Sequence, residues 1–262
     1  MTSDRTPGFP CHRPGEAFRL VQISDCHLSA SAATPYRGKN ADAGLLSLVH
    51  TIAEWQPHLV LATGDLSEDA SSASYQRLAQ HFRLMRAPVC VLPGNHDDNL
   101  LMRRYLQTGP WNGPLILQAG DWQLVLLDSA VAGRIDGILD RDHVQQLRRC
   151  LVSRTKRPVL LALHHQPVPV GALWIDRYML KDPDALLELV ADHEQVRGVV
   201  CGHVHQAFES CLGNAKMLAC PSSAANSRAG ASRFVHDPAG PACRWLQLTA
   251  QGKIETGLLY AC

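Results

Sequence analysis

The sequence predicts an α/β (α+β) fold arranged as a four-layer αββα sandwich, in which two mixed β-sheets are flanked by helices. Up to about residue 201, short apolar segments alternate with segments of helical spacing, as in strands joined by helices. Beyond that point only strand-like segments follow, and alternation followed by extra strands is typical of two packed sheets with helices outside. The 262 residues fit one large domain better than two small ones. We therefore expect a flexible N-terminal segment over 1–16 and a single domain over 17–262.

The first part of the chain supplies three strands and three helices. Each predicted strand is a short, nearly continuous apolar run, which is the pattern of a buried strand. The first helix carries Leu45, Leu48 and Ile52 on one side and ends before Pro57. The predicted strands are Phe18–Ser24, Leu59–Thr63 and Val89–Leu92, and the predicted helices are Ala41–Trp55, Ala73–Met85 and Leu100–Leu106.

The rest of the chain adds strand pairs to this alternation. Turn residues at Gly120, Gly213-Asn214 and Gly252 separate paired apolar runs and predict tight turns between strands. Residues Pro221–Pro241 are rich in Ser, Ala, Gly and Pro, and predict a long loop with a functional role. The predicted strands are Leu115–Leu117, Trp122–Leu127, Val159–Leu163, Val196–Cys201, Glu209–Leu212, Lys216–Ala219, Arg244–Leu248 and Ile254–Leu259, and the predicted helices are Asp140–Cys150 and Ala185–Ala191.

The composition is that of a globular protein without a strong charge bias. Hydrophobic residues make up 46% and charged residues 19%, and the formal net charge is +1 without a long basic or acidic run. This argues against binding along nucleic acid or a membrane surface, but it does not exclude a small anionic substrate.

The cysteines and the N-terminal residues indicate the compartment. Nine cysteines, an odd number, occur without a CxxC pair, and several fall inside predicted strands, where a free cysteine acts as a small apolar residue. The N-terminal residues lack the apolar core of a signal peptide, and no apolar run is long enough to span a bilayer. We therefore expect a reduced, cytoplasmic protein.

Five short polar segments follow predicted strands and together contain a set of metal-ligand side chains. Ligands of open α/β sheets gather outside the carboxyl ends of strands, so we expect these segments on one rim of one sheet. Asp-x-His and His-x-His have a spacing of two, which on an extended backbone places both side chains on one face and turns Cys26 and Val204 away. The segments are Asp25-Cys26-His27, Gly64-Asp65, Gly94-Asn95-His96-Asp97, His164-His165 and Gly202-His203-Val204-His205.

The residue types predict a centre of two metal ions. Two carboxylates, four imidazoles and one Asn carbonyl mix hard oxygen with borderline nitrogen, which suits Mn, Fe, Co or Zn better than Mg or Ca alone. If one carboxylate bridges, each ion has about four protein ligands and room for water. The candidate ligands are Asp25, His27, Asp65, Asn95, His164, His203 and His205.

Each segment alone has an ordinary structural interpretation. Asp-x-His is often a solvated turn, Gly-Asp is a common turn pair, and Gly94-Asn95 suits a tight turn with positive φ. His164 and His165 fit a core or helix-capping role as well, and for His165 we favour packing over ligation. The joint occurrence of all five segments at strand ends favours the metal centre.

In this order the five segments resemble the signature of the calcineurin-like metallophosphoesterases. The likeness extends from about Phe18 to about Leu259 and is nearest to the bacterial class III cyclic-nucleotide phosphodiesterases that act on 3′,5′-cyclic AMP. Two features depart from that pattern. Gln166 follows the His pair, and Pro221–Pro241 matches only loosely, so this loop is expected to influence substrate choice. Further matching segments are Gly64-Asp65-Leu66 with Ser74-Tyr75, Leu92–Asp97, Leu127-Asp128-Ser129, and His164–Pro167 through Trp174-Ile175-Asp176.

The resemblance implies two ions that share Asp65, namely iron and/or manganese, with zinc or cobalt as alternatives. His96 is the implied catalytic residue: it reaches the substrate phosphate without being a ligand, and either hydrogen-bonds a phosphate oxygen or protonates the leaving oxygen. One ion is implied at Asp25, His27, Asp65 and His205, and the other at Asp65, Asn95, His164 and His203. The implied substrate-binding residues are His27, Asp65, Asn95, His96 and His205.

The implied reaction is hydrolysis of 3′,5′-cyclic AMP to 5′-AMP by a hydroxide that the ion pair generates. The expected partner is a small nucleotide, with no nucleic acid and no membrane, and a homodimer is one expected assembly. One alternative is a metallophosphoesterase for another phosphodiester or a phosphomonoester, such as a glycerophosphodiester or a 2′,3′-cyclic nucleotide. The other is a non-catalytic scaffold that kept the fold.

Overall fold

The computed structural model describes residue 13 and residues 15–106, 108–152 and 157–261. Most of the segment over 1–16, for which we expect flexibility, lies outside the described residues. Among the described helices, none has both the length and the hydropathy needed to cross a bilayer. In chain order the elements are β1 (Phe18–Ile23), β2 (Pro35–Tyr36), β3 (Lys39–Asn40), α1 (Ala41–Trp55), β4 (Leu59–Thr63), α2 (Ser72–Leu84), β5 (Val89–Leu92), α3 (Asn99–Leu106), β6 (Leu115–Ala119), β7 (Trp122–Leu126), α4 (Arg141–Val152), β8 (Val159–Ala162), α5 (Leu173–Asp176), α6 (Asp184–Asp192), β9 (Val196–Cys201), β10 (Phe208–Leu212), β11 (Ala215–Ala219), β12 (Ala242–Leu248) and β13 (Ile254–Tyr260).

Two large β-sheets form the centre of the molecule. The first has the strand order β13-β12-β1-β4-β5, in which β1, β4 and β5 are parallel and β12 pairs antiparallel with both β1 and β13. The second has the order β10-β11-β9-β8-β7-β6, with four parallel strands in the middle and an antiparallel strand at each edge. Both sheets are therefore mixed, as predicted.

Three apolar clusters define the four layers. The cluster between the sheets joins residues such as Phe18 and Leu61 of the first sheet to Trp122 and Leu160 of the second. Helices α1 and α2 pack on the outer face of the first sheet, and α4 and α6 pack on the outer face of the second. The αββα sandwich predicted from the sequence is confirmed.

Strand β4 explains why these strands are apolar along their whole length. Leu59 and Leu61 lie in the cluster between the sheets, whereas Val60 and Ala62 lie in the cluster under the helices. Side chains alternate along a strand, so a strand covered on both faces has no place for exposed polar residues.

The helix boundaries also follow from local chemistry. The Asn40 side chain caps α1 by accepting a hydrogen bond from the Ala43 amide at 2.9 Å, and Gln56 ends the helix in the left-handed conformation just before Pro57. Most predicted boundaries agree with the structure to within two residues. The short β2–β3 ribbon and α5 are not predicted by the sequence patterns. As predicted, the loop over 221–241 contains no strand or helix.

The expectation that all candidate ligands lie on one rim of one sheet is wrong. Strands β1, β4 and β5, which precede Asp25, Asp65 and Asn95, belong to the first sheet, whereas β8 and β9, which precede His164 and His203, belong to the second. Strand–helix alternation does not reveal where the chain passes from one sheet to the other, because β5 and β7 are each followed by a helix.

Candidate metal centre

The strand ends that carry the candidate ligands turn sharply instead of continuing as extended chain. Five of these residues have positive φ, a conformation that costs a non-glycine residue on the order of 1–3 kcal/mol and that clusters at functional sites. The extended backbone expected for Asp-x-His and His-x-His is therefore wrong, although Cys26 and Val204 do point away, into the apolar clusters under the helices. The φ values are 51° for Asp25, 46° for His27, 50° for Asp65, 68° for His203 and 50° for His205.

Hydrogen bonds connect these turns across the two sheets. The Asp25 amide donates to the Gly64 carbonyl at 2.9 Å, and the Asp25 carboxylate accepts from the His203 amide at 3.0 Å. The Ser222 hydroxyl, from the loop over 221–241, donates to the Asp25 carbonyl at 2.7 Å. The strained turns therefore hold one another in place.

Two motif glycines are required by close packing at this point. A Cβ on Gly94 would lie against the Asp65 carboxylate, and a Cβ on Gly64 would lie against the His164 ring. Any larger residue at either position would displace a candidate ligand.

Asp25, His27 and His205 form a first group of donor atoms. His205 Nε2 lies 3.4 Å from Asp25 Oδ1 and 3.2 Å from His27 Nε2, and His27 Nε2 lies 4.0 Å from Asp25 Oδ1. Two donors on one tetrahedral ion with bonds of about 2.1 Å lie about 3.4 Å apart. The spacing of these three buried donors suits a single ion.

Asp65, His164 and His203 form a second group, with Asn95 beside it. His164 Nε2 lies 3.5 Å from Asp65 Oδ2 and 3.2 Å from His203 Nδ1. His164 Nδ1 lies 2.7 Å from the Thr63 carbonyl, to which it donates, and Nε2 is the ring nitrogen that faces Asp65 and His203. Asn95 lines the same cavity, and its side-chain oxygen is buried.

The Asp65 carboxylate lies between the two groups. Its Oδ2 is 3.8 Å from His27 Nε2 in the first group and 3.5 Å from His164 Nε2 in the second. Its Oδ1 accepts a hydrogen bond from the His96 amide at 2.9 Å. This is the position that a carboxylate shared by two ions requires.

Buried atoms without partners fit a pair of cations. Among the described residues, Asp25 Oδ1 and Asn95 Oδ1 are buried and have no hydrogen-bond partner. A buried polar atom left without a partner costs about 1–3 kcal/mol. A cation would satisfy the two oxygens, so the residues present fit the ions that the sequence predicts.

Burial and Asp65 set the protonation of the histidines. Burial lowers the pKa of His205 to about 4 and also lowers the pKa values of His27 and His203, which favours the neutral imidazole that binds cations. Burial acts in the same direction on His164, but the Asp65 carboxylate outweighs it and raises the pKa of His164 to about 9. His164 in turn holds the pKa of Asp65 below its usual value despite burial, so Asp65 is ionised.

His96 faces the cavity rather than belonging to either group. Its side chain is 37% exposed, and its Nδ1 lies 3.2 Å from Glu68 Oε2. The same Glu68 oxygen lies 2.7 Å from His27 Nδ1. Glu68 is not among the residues predicted from the sequence. A lone acidic residue three positions after Asp65 carries no signal beyond that proximity.

His165 lies close to the second group but has other partners. One of its ring nitrogens is within 4.8 Å of donor atoms of His164 and His203. However, Nδ1 lies 2.9 Å from the Ser129 hydroxyl and Nε2 lies 3.0 Å from the Ile135 carbonyl. Burial and the neighbouring His164 lower the pKa of His165 to about 3. These contacts support the packing role expected for this residue.

Asp97, the last residue of the Gly-Asn-His-Asp turn, ties that turn to its neighbours. Its carboxylate accepts from three backbone amides at 3.0–3.1 Å and from the Tyr75 hydroxyl at 3.0 Å. Burial and the nearby Asp65 charge raise the pKa of Asp97 to about 6 in spite of these donors. Asp97 therefore positions Asn95 and His96 rather than facing the cavity.

A cavity of about 360 Å³ opens onto both donor groups, and this volume suits a small ligand. A larger cavity of about 590 Å³ beside α4 and α6 contains none of the donor residues, so the smaller one is the candidate site. Its lining residues are His27, Tyr36, Arg37, Asp65, Asn95, His96, Gly133, Arg134, Ile135, Trp174, Ile175, Tyr178, His203 and His205.

Solved structures share this fold at low sequence identity. A dimetal phosphatase from Danio rerio superposes with a TM-score of 0.69 at 14% identity, covering 94% of this chain and 100% of that chain. A purple acid phosphatase from yellow lupin (Lupinus luteus) seeds gives a TM-score of 0.61 at 12% identity, covering 95% of this chain and 55% of that chain.

Sequence comparison identifies nearer relatives. The chain is 38% identical over 241 residues to the 3′,5′-cyclic adenosine monophosphate phosphodiesterase CpdA of Pseudomonas aeruginosa, covering 91% of this chain and 88% of the relative. It is 35% identical over 246 residues to the protein of the same name from Escherichia coli, covering 92% and 90% of the two chains. The sequence model of the calcineurin-like phosphoesterases matches residues 18–207. The chain therefore belongs to the calcineurin-like phosphoesterase family.

Proposed function

We propose that this protein is a metal-dependent phosphodiesterase that hydrolyses 3′,5′-cyclic AMP to 5′-AMP. The observation that carries the proposal is the pair of buried donor groups on either side of Asp65 Oδ2, 3.8 Å from His27 Nε2 and 3.5 Å from His164 Nε2. The choice of substrate is supported by the relatives at 35–38% identity, which are named for this activity.

We assign two ions to these groups. Asp25, His27, Asp65 and His205 would hold one ion, and Asp65, Asn95, His164 and His203 the other. When bound, such a pair supplies positive charge at the phosphate and lowers the pKa of water toward neutrality. The mixed oxygen and nitrogen donors favour iron or manganese, with zinc or cobalt as alternatives.

The side chains of the chain itself prepare the site for an in-line displacement at phosphorus. Glu68 accepts from His27 Nδ1, which leaves Nε2 of His27 available as a ligand atom. Ring opening breaks the bond between phosphorus and the 3′ oxygen, and that oxygen needs a proton. His96 is proposed to supply it through Nε2, or to hydrogen-bond a phosphate oxygen, because its Nδ1 is directed at Glu68.

A substrate panel tests the proposal. Protein supplied with manganese or iron would be given cyclic AMP, cyclic GMP, 2′,3′-cyclic nucleotides, glycerophosphodiesters and bis(p-nitrophenyl) phosphate. We expect cyclic AMP to have the highest kcat/KM among these and 5′-AMP to be the product. Faster hydrolysis of another natural ester would identify a different metallophosphoesterase, and protein that binds no added manganese or iron and cleaves none of these esters would identify a scaffold.

A metal analysis tests the ligand assignment separately. Asp65→Ala removes the shared carboxylate, so we expect both the metal content and the activity to be lost. Two tightly bound ions in that variant would contradict the shared role of Asp65.

We further propose that residues 17–262 act as one domain in the cytoplasm and form a homodimer. Cys26, Cys90 and Cys201 are buried free thiols, which supports a reduced compartment. Light scattering on the purified protein would measure its mass in solution, and a monomer at micromolar concentration would contradict the dimer.

A further inference from the structure

One wall of the cavity is made of aromatic rings and an arginine. This aromatic wall consists of Tyr36, Arg37 and Trp174, which line the cavity, and of Phe234, which packs against Arg37 and Trp174. The Tyr36 ring stacks on the His27 ring with centroids 3.9 Å apart and planes 7° apart. Trp174 and Phe234 lie 6.1 Å and 6.2 Å from the His205 ring. The Tyr36 ring of the aromatic wall therefore lies one ring layer outward from His27 of the first donor group.

Arg37 is fixed in the wall without an acidic partner. Its guanidinium carbon lies 4.1 Å from the Phe234 centroid, 5.7 Å from that of Trp174 and 5.5 Å from that of Tyr36. Its Nε donates to the Tyr36 hydroxyl at 3.1 Å. No carboxylate of the described chain pairs with it, whereas Arg134 at the same cavity pairs with Asp136 at 2.8 Å. The terminal nitrogens of Arg37 are thus free to donate to a ligand.

Trp174 adds a second donor without a partner. Its indole Nε1 is buried and has no hydrogen-bond partner in the described part of the chain. Because indole is a donor only, an acceptor on a ligand would remove the cost of burying this group. Three rings and two unpaired donors form a surface that suits a flat molecule with several acceptor atoms.

We propose that the aromatic wall is the nucleobase subsite, which binds a purine ring by stacking and by donation from Arg37 and Trp174 to its ring nitrogens. This inference rests on the proposed function. A cyclic phosphate held at the two donor groups carries its sugar and base outward, which is the direction of the wall. Every base offers a face for stacking, and base–aromatic stacking changes affinity by about fivefold to 150-fold per base.

The position of Arg37 favours the base over the phosphate as its ligand. The Tyr36 ring stacks directly on His27, and Arg37 belongs to the next layer, against Phe234. A residue that bound the phosphate would contribute to the hydrolysis of every phosphate ester. A residue that binds the base contributes only to the hydrolysis of nucleotides, and this difference can be measured.

The kinetic test compares a nucleotide with an ester that has no base. For Arg37→Ala we expect KM for cyclic AMP to rise at least about tenfold. Hydrolysis of bis(p-nitrophenyl) phosphate should stay within about twofold. Trp174→Phe keeps the ring and loses the N–H, so its effect should be in the same direction and smaller. Arg104→Ala is the matched control, because Arg104 also lies over a ring, that of Tyr105 at 5.5 Å, but does not line the cavity.

A binding measurement distinguishes failure of the subsite proposal from failure of the proposed function. Calorimetry on the manganese-loaded protein would compare 5′-AMP with inorganic phosphate. We expect 5′-AMP to bind more tightly, and Arg37→Ala to remove that advantage while leaving phosphate affinity unchanged. If the wild type shows this pattern but does not hydrolyse cyclic AMP, the proposed function fails and the subsite stands. The subsite proposal would be overturned if Arg37→Ala impaired hydrolysis of the base-free ester as much as that of cyclic AMP. It would also be overturned if Arg37→Ala changed the affinity for neither 5′-AMP nor phosphate.

Discussion

At the scale of single residues, Glu68 has a larger role than its place in the sequence indicates. One carboxylate oxygen contacts both His27 Nδ1 at 2.7 Å and His96 Nδ1 at 3.2 Å. Through these contacts Glu68 fixes the ring orientation of a proposed ligand and of the proposed proton donor. A carboxylate that orients a metal-binding histidine is a recurring feature of metal sites.

Glu68→Gln keeps the shape of the side chain and removes its charge. Loss of such a supporting group lowers metal affinity or activity by about 10- to 100-fold, and we expect a loss in that range for cyclic AMP hydrolysis. Metal titration alongside steady-state kinetics would assign the loss to His27 or to His96. Glu54→Gln, on the exposed side of α1, is the matched control, and an equal effect there would contradict the role of Glu68.

The role of His96 can be resolved with two leaving groups. His96→Ala should keep both ions and lose about 10²- to 10⁴-fold in turnover of cyclic AMP, the range of acid–base groups. Nitrophenolate leaves without a proton, so the loss on bis(p-nitrophenyl) phosphate should be much smaller if His96 protonates the leaving oxygen. Equal losses on both substrates would assign His96 to a phosphate oxygen, and an unchanged rate would remove it from the mechanism.

The ligand types and Cys26 illustrate what the sequence can reveal at this scale. The Asp and His residues at strand ends can be identified from the sequence, and so can the exclusion of Cys26 from the site. The structure places Cys26 in the apolar cluster under the helices. The left-handed turns at Asp25 and His205 cannot be predicted from the sequence, because they depend on hydrogen bonds between segments far apart in sequence. Glu68 and Arg37 likewise become significant only through contacts made in the fold.

At the scale of elements, periodicity predicts long segments and fails for short ones. Helix α1, with 15 residues, four apolar positions on one side and an Asn cap, is predicted with its boundaries. Strands β2 and β3 have two residues each, and α5 has four, so none is long enough to show a repeat. The β2–β3 ribbon nevertheless carries Tyr36 next to Arg37, and α5 carries Trp174.

A buried arginine joins strands at or next to one edge of each sheet. Arg244 on β12 is fully buried, and it donates to the Ala219 carbonyl on β11 at 3.2 Å and to Glu209 on β10 at 2.7 Å. A buried guanidinium is stable only while its donors are satisfied. This contact therefore links the β12–β13 side of the first sheet to the β10–β11 side of the second.

Glu209→Gln should weaken that link. We expect the free energy of unfolding to fall by about 1–3 kcal/mol, because the guanidinium stays buried while its acidic partner is lost. Urea denaturation would measure the change. Glu255→Gln, at an exposed position on β13, is the control. A midpoint identical to that of the wild type would show that Arg244 does not depend on Glu209.

At the scale of the whole molecule, the donor groups combine residues of both sheets. Asp65 comes from the first sheet, and His164 from the second, and their side chains lie 3.5 Å apart. Ions bound there would connect the two halves of the sandwich. Ions that bind only the folded chain stabilise it by mass action, by about 2.7 kcal/mol when the free ion exceeds its dissociation constant a hundredfold.

Removal of metal should therefore lower the melting temperature as well as the activity. For a chain of this length, a change of about 2.7 kcal/mol corresponds to a shift of roughly 5–10 °C. Calorimetric scans of metal-loaded and chelator-treated protein would measure it, and Asp65→Ala should show no further shift on chelation. Equal melting temperatures with and without chelator would contradict the bridging of the sheets by ions.

The Ser222–Asp25 hydrogen bond and the pairing of β12 with β1 have a consequence for biosynthesis. All seven proposed ligands have been synthesised once His205 is added, yet Ser222 and β12 (Ala242–Leu248), which support Asp25 and β1, are still to come. A nascent chain halted near residue 207 would hold every donor and still lack a finished site. Cofactor insertion is thus expected only after β12 has been made and has paired with β1.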